Sequence, residues 1–274
     1  GHGVSVQHAR LMFARPLPRP VRLRPAVLAG AFLAACVAPV LSQPVPEEVT
    51  FVAADGIVVF ADRYHPPAES DRDGATIILF HQAGGDARGE YASIVPRLLQ
   101  AGYDVLAVDQ RAGGDRFGGV NRTVAELDRE YGYCEAYPDL EAALAWAVES
   151  GPPKGIAVWG SSYSAALVIR LAVDHPDSVD AVLAFSPASG GPMEGCRPDE
   201  VLGDLTTPTM ALRPDREMEI ESVAAQALEL ERHGVVVVVS EGGVHGSSML
   251  DPERASGDVE PTWQAVLEFL SAHL

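Results

Sequence analysis

The order of apolar segments along the chain constrains its fold more than any other sequence feature. Several of these segments are short and continuously apolar, as in Ala75–Phe80 and Ala181–Phe185, which is typical of parallel strands buried on both faces. They are separated by segments with helical spacing of apolar residues, such as Tyr163–Val173. Strands and helices that alternate at this length predict an α/β fold with a mainly parallel sheet of about eight strands and helices on both faces.

The predicted elements leave room for one domain and for two long loops. The predicted strands are Val49–Ala53, Ile57–Tyr64, Ala75–Phe80, Asp104–Val108, Gly155–Trp159, Ala181–Phe185, Pro208–Leu212 and Val235–Val239. The predicted helices are Tyr91–Gln100, Leu140–Val148, Tyr163–Val173, Met218–His233 and Thr262–His273. The first two strands flank Asp55-Gly56, which predicts an antiparallel hairpin at the sheet edge. The loops at 112–138 and 187–205 begin at the carboxyl ends of predicted strands, so we expect them to line a ligand crevice.

Residues 1–42 differ in composition from the rest of the chain. Their only Lys or Arg residues are arginines, they contain no acid, and Ala26–Val40 is an apolar run. This pattern predicts a secretory signal. A membrane span is excluded because the run is shorter than the roughly 20 residues that a span needs. Two ways of processing remain open. Cleavage after Ser42 releases a soluble periplasmic or secreted protein, whereas lipidation of Cys36, in a sequence similar to a bacterial lipobox, anchors it to a membrane. Either way, we expect an exported protein with one domain at 43–274.

Charge and cysteine content restrict the partners and the compartment. Residues 43–274 contain 15 Lys and Arg against 38 Asp and Glu, a net charge of −23. A surface this acidic repels nucleic acid and anionic lipid, so we expect membrane contact only through a lipid anchor. Cys134 and Cys196 are the only cysteines in this part of the chain. In an oxidising compartment they are expected to form one disulfide, and the alternative is two unrelated buried thiols.

A serine lies at a sharp turn between a predicted strand and a predicted helix, in Trp159-Gly160-Ser161-Ser162-Tyr163-Ser164. Such a turn requires small residues two positions before and two after its apex. Ser162 satisfies this rule through Gly160 and Ser164, whereas Ser161 would place Trp159 and Tyr163 at those positions. Ser162 is therefore the candidate nucleophile, and the alternative is an ordinary helix N-cap.

From this motif, and from the order of elements over 49–274, the chain resembles the α/β-hydrolases. His81-Gln82-Ala83-Gly84-Gly85 follows a predicted strand and is similar to the HGxGG loop of that family, with Gln82 in place of the usual glycine. The resemblance implies an oxyanion hole formed by the backbone amides of Ala83 and Tyr163. The substitution leaves open whether Gln82 or Ala83 faces the oxyanion.

The same resemblance implies a base and an acid for Ser162. His245 lies in a glycine-rich loop after the last predicted strand, where the family keeps its catalytic histidine, whereas His175, His233 and His273 lie at helix ends. The acid is expected after the strand Pro208–Leu212. Spacing favours Glu217, with Asp215 as the alternative, and Arg213-Pro214 replaces the usual glycine of that loop.

These residues imply a serine carboxylesterase that cleaves small or medium esters through an acyl-enzyme. The loop at 187–205 is too short for a large cap domain. The HQAGG loop is similar to that of the dienelactone-hydrolase-like group, although that group typically has a cysteine nucleophile. Dienelactone hydrolase, thioesterase or peptidase activity and a catalytically inactive exported binding protein remain as alternatives. Without an HExxH motif, a CxxC pair or a nucleotide fingerprint, we expect no metal or cofactor.

Overall fold

Apolar strands assemble into one sheet of eight strands in the part of the chain that the structure describes. The structure is a computed structural model, and it describes residues 44–67, 74–151 and 154–274. The strands are β1 (Glu47–Val52), β2 (Val58–Tyr64), β3 (Ala75–Phe80), β4 (Asp104–Asp109), β5 (Gly155–Ser161), β6 (Ala181–Phe185), β7 (Thr209–Pro214) and β8 (Val236–Ser240). Their order is β1-β2-β4-β3-β5-β6-β7-β8. β2 runs antiparallel to both of its neighbours, β1 and β4, and all the other neighbouring strands are parallel. This confirms the predicted mainly parallel sheet and edge hairpin.

Helices cover both faces of the sheet. They are α1 (Ala87–Tyr91), α2 (Val95–Gln100), α3 (Arg122–Ala125), α4 (Tyr137–Glu149), α5 (Tyr163–Asp174), α6 (Glu221–Arg232) and α7 (Glu260–His273). Apolar residues of α4, α5 and α6 pack in one buried cluster, and those of α1, α2 and α7 pack in a second. The central strand β5 is buried along its whole length, as its continuous apolar sequence predicts.

Three predictions about helices and loops differ from the structure for local reasons. The helix predicted at Tyr91–Gln100 is interrupted: Tyr91 is the last residue of α1, and α2 begins at Val95, because Pro96 has no N–H to continue the helical pattern from α1. The helix predicted from Met218 begins at Glu221, after a 3-10 turn at Asp215–Glu219. The loop predicted at 112–138 contains α3, which Asn121 caps by accepting from the amide of Val124.

The segment between β6 and β7, which the structure describes in full, does not form a large cap. That segment contains three short 3-10 turns, Gly191–Met193, Pro198–Glu200 and Leu202–Asp204. Among the described residues, no helix is both long and apolar enough to span a membrane. The predicted signal, its cleavage after Ser42 and the alternative lipidation of Cys36 lie outside the described residues.

Candidate active site

Ser162 occupies the sharp turn between β5 and α5. Its backbone has φ 60° and ψ −115°, a region that non-glycine residues enter only when surrounding contacts hold them there. The Ser162 amide donates to the carbonyl oxygen of Phe185 at 2.8 Å, and the Ser162 carbonyl accepts from the amide of Ala188 at 3.1 Å. The end of β6 thus holds the strained turn, and the side chain of Ser162 projects from it.

The small residues around the apex are required by close backbone contacts. A Cβ atom built on Gly160 would lie 2.3 Å from the carbonyl oxygen of Ser164, so no larger residue fits there. The Ser164 hydroxyl donates to the carbonyl of His81 at 2.6 Å and accepts from Nε2 of Gln110 at 2.5 Å. Ser164 is fully buried and ties the turn to the loop after β3.

His245 contacts both Ser162 and Glu217. Its Nε2 lies 2.8 Å from Oγ of Ser162, and its Nδ1 lies 2.5 Å from Oε1 of Glu217. The three residues come from the ends of β5, β7 and β8, which are remote in sequence. With Nδ1–H donating to the carboxylate, Nε2 is left unprotonated and oriented to accept the serine proton.

The Glu217 carboxylate is held by more than His245. Oε1 also accepts from the hydroxyl of Ser186 at 3.2 Å, and Oε2 accepts from Nη1 of Arg213 at 2.8 Å. Burial by itself would raise the pKa of Glu217, but the hydrogen bonds from His245 and Arg213 outweigh it and lower this pKa to about 2. Glu217 is therefore ionised at neutral pH.

The alternative residues lie elsewhere. Asp215 accepts from the amide of Arg216 at 2.9 Å, and it makes no contact with His245 in the described part of the chain. His175 lies 3.3 Å from Glu141, His233 lies 3.2 Å from Glu229, and the ring of His273 packs on Phe269. Of the candidate acids and bases, the structure brings only Glu217 and His245 to Ser162.

In the loop after β3, buried acceptors bind two successive backbone amides. His81 N–H donates to Oε1 of Gln110 at 2.9 Å, and Gln82 N–H donates to Oε2 of Glu90 at 2.7 Å. No acceptor is found for the next amide, that of Ala83, among the described residues. The amide of Tyr163 begins α5 and so has no partner within that helix. The Gln82 amide is therefore already bound to Glu90, whereas those of Ala83 and Tyr163 have no such partner among the described residues.

A buried carboxyl group that the sequence analysis did not single out supports this loop. Glu90 is fully buried and also accepts from Nε2 of Gln82 at 3.2 Å and from the hydroxyl of Ser161. Burial raises the pKa of Glu90, and these hydrogen bonds oppose the shift. Ser161 in turn accepts from the amide of Ser247 at 2.9 Å. Glu90 and Ser161 therefore connect the loop after β3, the strained turn and the loop that carries His245.

A disulfide joins the loops that flank this site. Cys134 and Cys196 are bonded, with Cα atoms 5.7 Å apart. Cys134 directly follows Tyr133, whose ring stacks on that of Tyr163 with a centroid separation of 4.8 Å. The bond therefore fixes the loop after β4 to the loop after β6, next to the residue that follows Ser162.

The polar end of β4 has structural roles. Asp109 accepts from Nε of Arg122 at 2.7 Å and from the amide of Ala87 at 2.8 Å. Arg111 pairs with Asp139 at 2.6 Å and with the carboxylate of Asp55. These ion pairs join β4 to other elements. Within the described residues, no cluster of three or more His, Cys, Asp or Glu side chains has the arrangement of a metal site.

Comparison with known proteins agrees with this architecture. A family model described as alpha/beta hydrolase fold matches residues 75–217, which include β3 to β7, Ser162 and Glu217. The chain belongs to the α/β-hydrolase family. No curated protein matches it in sequence.

Solved structures of other α/β-hydrolases superimpose on most of this chain. An esterase from Pyrococcus furiosus has 19% sequence identity and a TM-score of 0.61, with 84% of this chain and 91% of that chain covered. A dienelactone hydrolase from Anabaena variabilis has 16% identity and a TM-score of 0.60, with 85% and 100% covered. A serine hydrolase without a lid from Xanthomonas campestris has 16% identity and a TM-score of 0.63, with 86% and 98% covered. At these identities the likeness concerns the fold.

Proposed function

We propose that this α/β-hydrolase is a serine esterase that cleaves carboxylic esters through an acyl-enzyme. The observation that carries the proposal is the continuous hydrogen-bonded chain from Ser162 Oγ through His245 to Glu217, with contacts of 2.8 and 2.5 Å. A serine hydroxyl is a weak nucleophile unless an adjacent base removes its proton. A half-exposed imidazole held by a partly buried carboxylate supplies that base.

In the acylation step, Ser162 Oγ attacks the ester carbonyl carbon and its proton passes to Nε2 of His245. The carbonyl oxygen becomes an oxyanion, to which the amides of Ala83 and Tyr163 donate. Each such donor is worth about 3 kcal/mol in the transition state. The tetrahedral intermediate collapses, the C–O bond to the alcohol breaks, and the imidazolium gives its proton to the leaving alkoxide.

In the deacylation step, water attacks the acyl-serine and His245 accepts the proton of that water. The second tetrahedral intermediate collapses and releases the carboxylic acid, and the proton returns to Ser162 Oγ. Glu217 keeps its negative charge throughout and stabilises the imidazolium in both steps.

We further propose small or medium esters as substrates of an exported enzyme. The site is bordered by loops with short 3-10 turns and no cap domain among the described residues, so little apolar surface is available for a long acyl chain. The disulfide between Cys134 and Cys196 supports export, since such bonds persist in oxidising compartments. The mature N-terminus, identified by mass spectrometry as Gln43 or as lipidated Cys36, distinguishes the two ways of processing.

The experiment that tests the reaction is labelling of the purified protein with a fluorophosphonate probe, followed by a panel of p-nitrophenyl esters of increasing acyl length. We expect a modified Ser162, and loss of labelling and of ester cleavage in Ser162→Ala and His245→Ala. His175→Ala is the matched control, because that histidine contacts Glu141 and should not affect either reaction. A folded protein that neither labels nor cleaves any ester contradicts the proposal and favours the binding protein.

A further inference from the structure

Arg213 is buried directly beside the acid of the site. It is the penultimate residue of β7, and its side chain is 5% exposed. Its guanidinium donates to Oε2 of Glu217 at 2.8 Å, to the carbonyl oxygen of Pro187 at 2.5 Å, and to Oε1 of Gln226. An arginine in the place of the usual glycine therefore does more than fill the loop.

The positive charge of Arg213 is paired with the carboxylate of Glu217. Burial lowers the pKa of Arg213, and the hydrogen bond and the charge of Glu217 oppose this shift. On the other side, the charged groups that act on the Glu217 carboxylate are His245 and Arg213. Removing one partner of a buried ion pair leaves an uncompensated charge, so the charge of Arg213 depends on Glu217, while its Nε has no hydrogen-bond partner among the described residues.

The two carboxylate oxygens of Glu217 bind different partners. Oε1 faces Nδ1 of His245 and the hydroxyl of Ser186, while Oε2 faces Arg213. With both oxygens bound, the carboxylate has one orientation. Arg213 also binds the carbonyl of Pro187, and the next residue, Ala188, donates to the carbonyl of Ser162. The guanidinium therefore connects the acid to the turn that carries the nucleophile.

We infer that Arg213 is a positioning residue, whose guanidinium fixes the Glu217 carboxylate in the orientation that contacts His245. This inference rests on the proposed esterase reaction. It concerns a residue that touches neither the substrate nor Ser162.

The test compares Arg213→Gln, which removes the charge, with Arg213→Lys, which keeps it. Arg213→Gln leaves Oε2 of Glu217 without its charged donor. We expect its kcat to fall roughly 10- to 100-fold, with KM changed less than about threefold, because the acid acts on the reacting groups rather than on substrate binding. Arg213→Lys recovers only part of kcat, since one ammonium keeps the charge but cannot reproduce the planar guanidinium contacts.

Arg88→Met is the matched control. Arg88 is paired with the fully buried Asp62 at 2.6 Å, away from the triad, so its loss tests the general effect of breaking such an ion pair. A kcat that is the same in Arg213→Gln, Arg213→Lys and the wild type overturns the inference, as does an equal loss of kcat in Arg88→Met or a loss that appears mainly as a raised KM. If Arg213→Gln does not fold, a wild-type kcat in Arg213→Lys overturns the positioning role. Failure of the proposed function is distinguishable, because the wild type itself would then cleave no ester.

Discussion

Loss of the Cys134–Cys196 disulfide should destabilise the protein substantially. The bond joins the loop after β4 to the loop after β6, and its cysteines are 62 residues apart in sequence. Cys134 lies in a short 3-10 turn directly before α4, and Cys196 lies between two short 3-10 turns. In the unfolded chain the bond closes a long loop, so replacing both cysteines by serine releases mainly conformational entropy of the unfolded state.

The size of the effect follows from the loop length. For a separation of 62 residues, the chain-entropy relation gives about 14 cal/mol/K, or about 4 kcal/mol at 25 °C. A domain of this size has an unfolding entropy of roughly 0.5 kcal/mol/K, so the same loss lowers Tm by roughly 9 °C. Cys196 is also buried, but a serine of nearly equal volume leaves no large cavity there.

Guanidinium unfolding followed by circular dichroism measures this difference. Oxidised wild type is compared with the Cys134→Ser/Cys196→Ser double variant, and both are repeated with reductant. We expect reductant to lower the stability of the wild type to nearly that of the double variant and to leave the double variant unchanged. A double variant within about 1 kcal/mol of the oxidised wild type would refute the entropic reasoning.

Two further substitutions test the scaffold around Ser162. Gly160→Ala brings a Cβ within 2.3 Å of the Ser164 carbonyl oxygen, so the turn that carries Ser162 must move. Since a displacement of about 1 Å in such a site costs roughly 100-fold in rate, kcat for ester cleavage should fall at least roughly 100-fold. Gly203→Ala, where a Cβ meets nothing within 4 Å, is its control, and equal kcat values in the two variants would contradict the steric argument. Glu90→Leu leaves the buried Gln82 donors without an acceptor and should lower the free energy of unfolding by about 2–5 kcal/mol. Glu90→Gln retains an acceptor and should lose less in thermal or chemical unfolding; a leucine variant as stable as the glutamine variant would show that this carboxyl group does not support the loop.

Residues missed by the sequence analysis act through contacts with partners distant in sequence. Glu90 lies in α1, eight positions after Gln82, but its role also depends on the contact with Ser161, which belongs to β5. Ser186 has φ 51° and reaches both Glu217 and the amide of Gly246, and nothing in its local sequence indicates this. Arg213 did give a signal, because it stands where the family has glycine, but its partners could not be predicted from that departure.

The fold class and the position of the nucleophile could be predicted from the sequence because both depend on neighbouring residues. Continuous apolar runs indicate strands buried on two faces, and the small residues at 160 and 164 point to Ser162 because steric crowding in a tight turn acts over two positions. Only the tertiary structure places Glu217 rather than Asp215 beside His245, and only it shows that the Gln82 amide is already bound to Glu90. These contacts, at 2.5 and 2.7 Å, join side chains and loops whose positions are set only after the sheet has brought the ends of β3, β5, β7 and β8 together.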